Sequence, residues 1–309
     1  MKVGIIGSGG REHAICQSLK ISNKFTEIFC FPGNAGTSPL AKNINLDLNN
    51  FEIVKNYILE KKIDLIIIGP EKPLVDGLVD YLEKFKIKVF GPNKIASQLE
   101  GSKAWMKDLV MEAGIPTASH ETFTDITQAQ TFLETMTAPY VIKTDGLAAG
   151  KGVIICHDKE EATNAIEKLL ISKHSNKVVV EDFLVGQELS AMYICSFNGP
   201  NFEVSLPWTK DYKSRDEHNM GPNTGGMGAI IHPILDEHKN NIYKMHLEIE
   251  KNLSRTIHAI NKKYKNLNDQ YLGFLYLGLM IGQENQINIL EYNCRMGDPE
   301  TQCLMMYLQ

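Results

Sequence analysis

Residues 141 to 153 read Val-Ile-Lys-Thr-Asp-Gly-Leu-Ala-Ala-Gly-Lys-Gly-Val, and lysines beside glycines at this density suit the handling of phosphate. Lys143, on an apolar strand, can offer a point charge to a phosphate chain. Gly146, Gly150 and Gly152 let backbone amides approach an anion closely, and Lys151 adds a second charge. A Walker loop has four residues between its glycines, ends in Lys-Ser/Thr and opens a helix. Here three residues separate Gly146 from Gly150, Gly152 follows Lys151, and the next segment reads as a strand. A glycine-rich link between two strands is instead a flap that folds over phosphates.

A second constellation is Glu291, Asn293 and Arg295. Residues two apart on a strand share a face, so the two oxygen-bearing side chains together suit Mg²⁺ bridging nucleotide phosphates. Arg295 continues that face and suits neutralisation of a transferred phosphate. Near the N-terminus, Gly7-Ser8-Gly9-Gly10 and Arg11 stand between a strand and a helix, where backbone amides can meet an anion. A dinucleotide fingerprint requires glycine at position 12, which is Glu12, so a nicotinamide site is disfavoured. The segment from Val178 to Glu188 reads as a strand leading into a linker. Its backbone suits an adenine edge and Glu188 suits ribose hydroxyls, or it is a hinge with solvated carboxylates. Asp211, Lys213 and the four glycines between Gly221 and Gly228 make either a surface Ω-loop or a nest for a substrate carboxylate.

The elements that must position these groups fall into two kinds. Val3–Ile6, Glu27–Phe31, Leu65–Ile68 and Lys88–Phe90 are short apolar strands, alternating with amphipathic helices over 12–20, 51–61 and 74–86. That alternation indicates a parallel sheet covered on both faces, with ligands at the carboxyl ends of its strands. The loops there hold residues 7–13, Asn34 and Glu71. A helix over 94–113 bridges to a small α+β unit with strands over 140–143, 152–156 and 177–181 and helices over 125–136 and 159–171. Long antiparallel strands over 188–196 and 202–206, a polar loop over 207–227, a helix over 236–265 and a hairpin over 273–292 complete the reading. A loop of that length inside a compact domain is usually functional.

At 309 residues and 43% apolar, the chain has material for two or three compact units. A formal charge of -5 gives no general pull toward nucleic acid or an anionic membrane. The six cysteines show no CxxC spacing, which argues against a zinc ribbon and for reduced thiols in the cytoplasm. The longest apolar stretch, 272–281, is about half of a membrane span, so a soluble protein is expected. No Ser–His–Asp or Cys–His nucleophile suggests itself, which leaves catalysis by positioning and charge.

GSGGREHA (7–14), PGNAG (32–36), GPEKPLVDG (69–77), KTDGLAAGKG (143–152), PNTGGMG (222–228) and EYNCRMGDPETQ (291–302) follow one another along the chain. In this order they resemble the glycinamide ribonucleotide synthetase family of ATP-grasp ligases. The resemblance implies an α/β fold: an N-terminal parallel α/β pre-ATP-grasp domain over 1–100, then an ATP-grasp α+β domain over 101–309. A small flap-bearing lobe is expected over about 120–187. It implies ligation of glycine to 5-phosphoribosylamine through a glycyl phosphate, with ATP as co-substrate and Mg²⁺ or Mn²⁺ held by Glu291 and Asn293. Lys103, Lys143, Gly146, Gly150, Lys151 and Gly152 would meet the ATP phosphates; Glu181, Phe183 and Leu184 the adenine; Glu188 the ribose. Arg295, Asp211 and Lys213 would be catalytic. Gly9, Gly10, Arg11, Glu12, Asn34 and Glu71 would hold phosphoribosylamine, with Asn223, Thr224, Gly225, Gly226, Met227 and Gly228 facing the substrates. Partners are small molecules only, with no nucleic acid or membrane, and a monomer is favoured. Tyr212 stands where the family usually has histidine. The family's C-terminal domain is expected to be absent, leaving ATP binding intact and ligation weakened. The alternatives are another ATP-grasp carboxylate–amine ligase or a nucleotide-binding fragment with little activity.

Overall fold

The computed structural model describes residues 1–148, 152–171, 176–196, 202–217, 220–231, 239–263 and 271–308. The first unit alternates strand and helix: β1 (Lys2–Gly7), α1 (Gly10–Ile21), β2 (Glu27–Pro32), β3 (Lys42–Asn43), α2 (Phe51–Lys61), β4 (Leu65–Ile68), α3 (Glu71–Asp76), α4 (Leu78–Glu83) and β5 (Val89–Phe90). The strands form one parallel sheet in the order β3-β2-β1-β4-β5. Val3, Ile5 and Ile6 of β1 and Ile66 and Ile68 of β4 are almost wholly buried, as strands covered on both faces require.

Two expected helices are broken. The 74–86 segment divides into α3 and α4 at Gly77, whose φ of +94° ends the first helix. The 94–113 segment divides into α5 (Gln98–Gly101) and α6 (Lys103–Glu112) at Ser102, which is extended and caps α6 through its hydroxyl. Asp145, 43 residues further along the chain than Ser102, accepts hydrogen bonds from the Ser102 hydroxyl and the Ala104 N–H. A long-range carboxylate therefore fixes where α6 begins.

The second unit contains β6 (His120–Phe123), α7 (Ile126–Leu133), β7 (Tyr140–Thr144), β8 (Val153–Cys156), α8 (Lys159–Ile171) and β9 (Val178–Asp182). They make an antiparallel sheet, β6-β9-β7-β8, with its own core of Phe123, Leu133, Ile142, Ile166, Val178 and Val180. Then come β10 (Gln187–Ser196), β11 (Phe202–Ser205), β12 (Thr209–Asp211), β13 (Ser214–Asp216), β14 (Met220–Asn223), β15 (Ala229–Ile231), α9 (Lys239–Lys263), β16 (Gly273–Ile281), β17 (Ile287–Asn293) and α10 (Glu300–Tyr307). The expected loop over 207–227 thus contains three short strands. β12 and β15 extend an antiparallel sheet ordered β15-β12-β10-β16-β17, and β13 pairs with β14. Strands of three or four polar residues carry no periodicity to read. Positions 236–238 and 264–265 of the expected long helix lie outside the described residues.

The largest apolar core joins one face of the parallel sheet to strands β10, β16 and β17 and to Ile249, Leu253, Ile257 and Ile260 of α9. A second core packs α1 and α10 against the other face, with Ile15, Leu304 and Met305 inside. Among the described residues no helix is long and apolar enough to cross a membrane.

A left-handed break at Gly77 has a measurable consequence. Gly77→Ala places an L-residue in that conformation and should cost about 1–2 kcal/mol in urea unfolding; an unchanged midpoint would show that the backbone there relaxes freely.

Candidate active site

A cleft of about 600 Å³ opens where strands β7 to β9, strands β10, β16 and β17, and the carboxyl ends of β1 and β4 meet. Its wall includes Arg11, Glu71, Lys103, Lys143, Gly146, Gly152, Glu181, Phe183, Leu184 and Glu188. Asp211, Lys213, Asn223, Thr224, Gly225, Glu291, Asn293 and Arg295 complete the expected groups that line it. Gly9, Gly10, Glu12, Asn34, Gly226, Met227 and Gly228 do not form its wall. Gly150 and Lys151 lie outside the described residues.

Glu291 stands at the centre. It sits on β17 opposite Gly278 of β16, where any Cβ would come within 2.9 Å of the Glu291 side chain. Burial alone would raise its carboxyl, but Lys213, Lys143, Lys103 and Arg295 together hold it below the ordinary value. Each cation comes from a different element: Lys103 from the start of α6, Lys143 from β7, Lys213 from the β12–β13 connection, Arg295 from beyond β17. The Lys103 ammonium donates to the Gly146 carbonyl at 2.9 Å, and burial lowers its pKa. Lys213 pairs with Glu188 at 3.1 Å and lies 4.0 Å from Asp211. Burial opposes its charge, yet Glu291, Tyr276, Glu188 and Asp211 hold its pKa well above the usual lysine range.

Asn293 lies two residues beyond Glu291, with its amide nitrogen 3.5 Å from a Glu291 oxygen. Among the described residues no group of three or more His, Cys, Asp or Glu is arranged to hold a metal ion. Two oxygen donors, one kept ionised, fit a hard divalent cation that takes its other ligands from phosphates and water. Carboxylates also outnumber cations along the whole wall, so a polyphosphate entering it would need accompanying positive charge.

A second cluster ties the parallel sheet to this centre. Glu12 is almost fully buried; its carboxylate accepts from the Gly9 N–H at 2.6 Å and from Arg11 Nε at 2.8 Å. A Cβ on Gly69 would lie 2.0 Å from Glu12 Oε1, so only glycine leaves room there. Arg11 also donates to the Met296 carbonyl at 2.9 Å and lies 4.0 Å from Glu71. Arg295 lies 3.4 Å from Glu71 and 2.7 Å from Glu100, whose other oxygen accepts the Cys294 N–H. Burial opposes the Arg295 charge, and Glu100, Glu71 and Glu291 more than offset it. Burial raises the Glu100 carboxyl, against the pull of Arg295. The glycine loop's amides are therefore engaged within the chain, at Gly9 by Glu12 and at Arg11 by Asp298. Asn34 braces the same loop by donating to the Ser8 and Gly9 carbonyls. The 223–228 segment packs at Gly226 against Pro299.

The linker differs in detail from its sequence reading. Glu181 lies inside β9 between β6 and β7, so its carboxylate is what reaches inward. Phe183 and Leu184 follow the strand's end and line the cleft with backbone free of the sheet. Sequence reasoning missed Lys107, Glu100, Asp145, Tyr276 and Glu300. The spacing of Lys107 four residues after Lys103 was the one available signal. Tyr276 shares a 2.8 Å hydrogen bond with Ser190, whose hydroxyl also meets Glu300.

Glu12→Ala leaves the Gly9 N–H and the Arg11 guanidinium without their carboxylate. Urea unfolding should show a loss of about 3–5 kcal/mol, as for a broken buried pair; a loss below about 1 kcal/mol would equate it with a surface contact.

Family models for phosphoribosylglycinamide synthetase match the chain: its N domain at residues 1–100 and its ATP-grasp (A) domain at residues 101–301. A phosphoribosylamine–glycine ligase of Synechocystis is 43% identical over 316 aligned positions, covering 100% of this chain and 71% of that protein. The crystal structure of the Thermotoga maritima phosphoribosylamine–glycine ligase superimposes with a TM-score of 0.82 at 35% identity, over 99% of this chain and 72% of that one. The Staphylococcus aureus N5-carboxyaminoimidazole synthetase complexed with ADP shares the fold, with a TM-score of 0.71 at 17% identity, over 96% of this chain and 71% of that one.

Proposed function

The chain belongs to the phosphoribosylglycinamide synthetase family and acts as an ATP-dependent ligase; we propose that its reaction joins glycine to 5-phosphoribosylamine, giving glycinamide ribonucleotide, ADP and phosphate in purine synthesis. The observation that carries this reading is the convergence of Lys103, Lys143, Lys213 and Arg295 on Glu291 within one cleft. Phosphoryl transfer asks a protein for positioning and charge neutralisation rather than for a nucleophile.

A glycine carboxylate oxygen attacks the γ-phosphorus, the bond to the ADP oxygen breaks, and glycyl phosphate forms. The amine of 5-phosphoribosylamine then attacks the acyl carbon, phosphate leaves with the bonding pair, and the nitrogen loses a proton to give the amide. Lys103 and Lys143 face the nucleotide phosphates, with Gly146 and Gly152 beside them. Phe183 and Leu184 offer backbone to adenine, and Glu188 reaches ribose hydroxyls. Arg295 and Lys213 neutralise the phosphate in transfer, and Asp211 meets the glycine ammonium. Arg11 and Glu71 face the phosphoribosylamine. Glu12, Gly9, Gly10 and Asn34 hold that loop in shape from behind, and Asn223, Thr224 and Gly225 border the acyl group.

Glu291 and Asn293 would hold Mg²⁺ or Mn²⁺ together with the nucleotide. Bound there, the ion supplies charge neutralisation across the phosphates. We assign residues 1–100 to a substrate-binding α/β unit and 101 onward to the ATP-grasp unit. The small lobe of about 120–187 is supported by its separate apolar core.

The test is ADP release with glycine and 5-phosphoribosylamine supplied together and singly. ADP formation requiring both, with matching amide, supports the assignment; release indifferent to 5-phosphoribosylamine points to another amine. Glu291→Ala should lower turnover on the order of a hundredfold or more with an unchanged circular dichroism spectrum. Near-normal activity of that variant at limiting Mg²⁺ would remove Glu291 from the site.

A further inference from the structure

Behind Lys143 and Glu181 lies a buried cation, Lys107, that the reaction as described does not use. Lys107, one turn after Lys103 on α6, has no exposed side-chain surface and does not line the cleft. Its ammonium lies 2.9 Å from Glu181 Oε2 and donates to Thr117 Oγ1 at 2.8 Å. Thr117 in turn donates to the Ile289 carbonyl at 2.7 Å, which anchors the group to β17. Lys143 lies 2.9 Å from the same Glu181 oxygen, and its ammonium also reaches the Leu290 carbonyl at 3.4 Å. Glu181 Oε1 is buried with no hydrogen-bond partner.

Two ammoniums on one carboxylate oxygen leave the cluster with one surplus positive charge. Paired with Glu181 alone, Lys143 would be neutralised, and an incoming phosphate would have to strip it from a buried carboxylate left without a partner. Such a step is strongly unfavourable. With Lys107 in place, Glu181 keeps a cation when Lys143 turns to an anion. Lys143 and Glu181 both face the cleft, so the exchange needs only side-chain movement.

We propose that Lys107 is a positioning residue for Lys143: by sharing the Glu181 carboxylate it keeps the cleft-facing ammonium of Lys143 available to the phosphates of a bound nucleotide. This rests on the reading that the cleft takes ATP. The charge state agrees with it. Burial pulls the Lys107 ammonium down, Glu181 partly restores it and Lys143 lowers it further, to about 8. It is thus charged at neutral pH and loses its proton in mild alkali. The groups facing it are Glu181 from β9, Lys143 from β7 and the uncharged Thr117 hydroxyl.

The experiment measures binding of an unhydrolysable ATP analogue with Mg²⁺ by calorimetry, on the whole chain and on Lys107→Met, Lys107→Arg and the double variant Lys107→Met/Glu181→Gln. Lys107→Met should bind on the order of tenfold more weakly, with the KM for ATP raised more than kcat is lowered. Adding Glu181→Gln should recover most of that loss, because Lys143 is then released; a purely structural role predicts that the second change makes matters worse. Unchanged binding by Lys107→Met, or a double variant binding no better than it, overturns the proposal. Wild-type affinity should fall between about pH 7 and about 9 as Lys107 deprotonates, and Lys107→Arg should flatten the fall because arginine stays charged. Should Lys107→Met fail to fold, that curve decides alone, and a flat wild-type curve overturns the proposal. Wild-type protein that binds no nucleotide would sink the functional reading itself; binding that ignores these changes sinks only this inference.

Discussion

A single ionised carboxylate, Glu291, held among four cations from four elements, is the constraint around which the rest of the molecule is arranged. The β16–β17 hairpin carries the carboxylate, and its partner β10 and the core beneath hold that hairpin rigid. Strand β7 delivers Lys143, and α6 delivers Lys103. No one of these elements assembles the charge alone. In such an arrangement rigid placement matters more than the total charge, since carboxylates are the more numerous groups in the wall.

The link between the parallel sheet and this centre is electrostatic as well as apolar. Glu12, Arg11, Glu71, Arg295 and Glu100 form a run of alternating charges from the first βα turn to the end of β17. Desolvating so many charges is costly, and well-packed apolar residues would stabilise the chain at least as well. What the run supplies is direction: Arg295 is braced by two carboxylates, Glu71 and Glu100. At the far end α10 packs on α1 where Gly10 leaves no room for a side chain against Gln302.

Much of this was legible in the sequence. The helices over 51–61 and 159–171 and the strand over 65–68 have the ends that their apolar periodicity indicates. There one apolar period runs through the element. Legibility failed where a distant contact decides a local outcome. Asp145 starts α6 at Ser102 from 43 residues away, and nothing near Ser102 announces it. The strands between 209 and 231 exist because β10 offers an edge, not because their own residues alternate. Lys107 was hidden for a related reason: a lysine on an amphipathic helix reads as solvated, and only the arrival of Glu181 from β9 makes its burial tolerable. The groups clustered at the site were legible as types, while the pairing among them required the fold.

On the proposed function, the cations around Glu291 serve transfer of a phosphoryl group onto a carboxylate. The most direct measurement supplies glycine labelled with oxygen-18 in its carboxylate, together with ATP and 5-phosphoribosylamine, and determines the label in the phosphate and amide products by mass spectrometry. One labelled oxygen should appear in each phosphate released and the other should remain in the amide. Phosphate free of label, formed as fast as the amide, would contradict it.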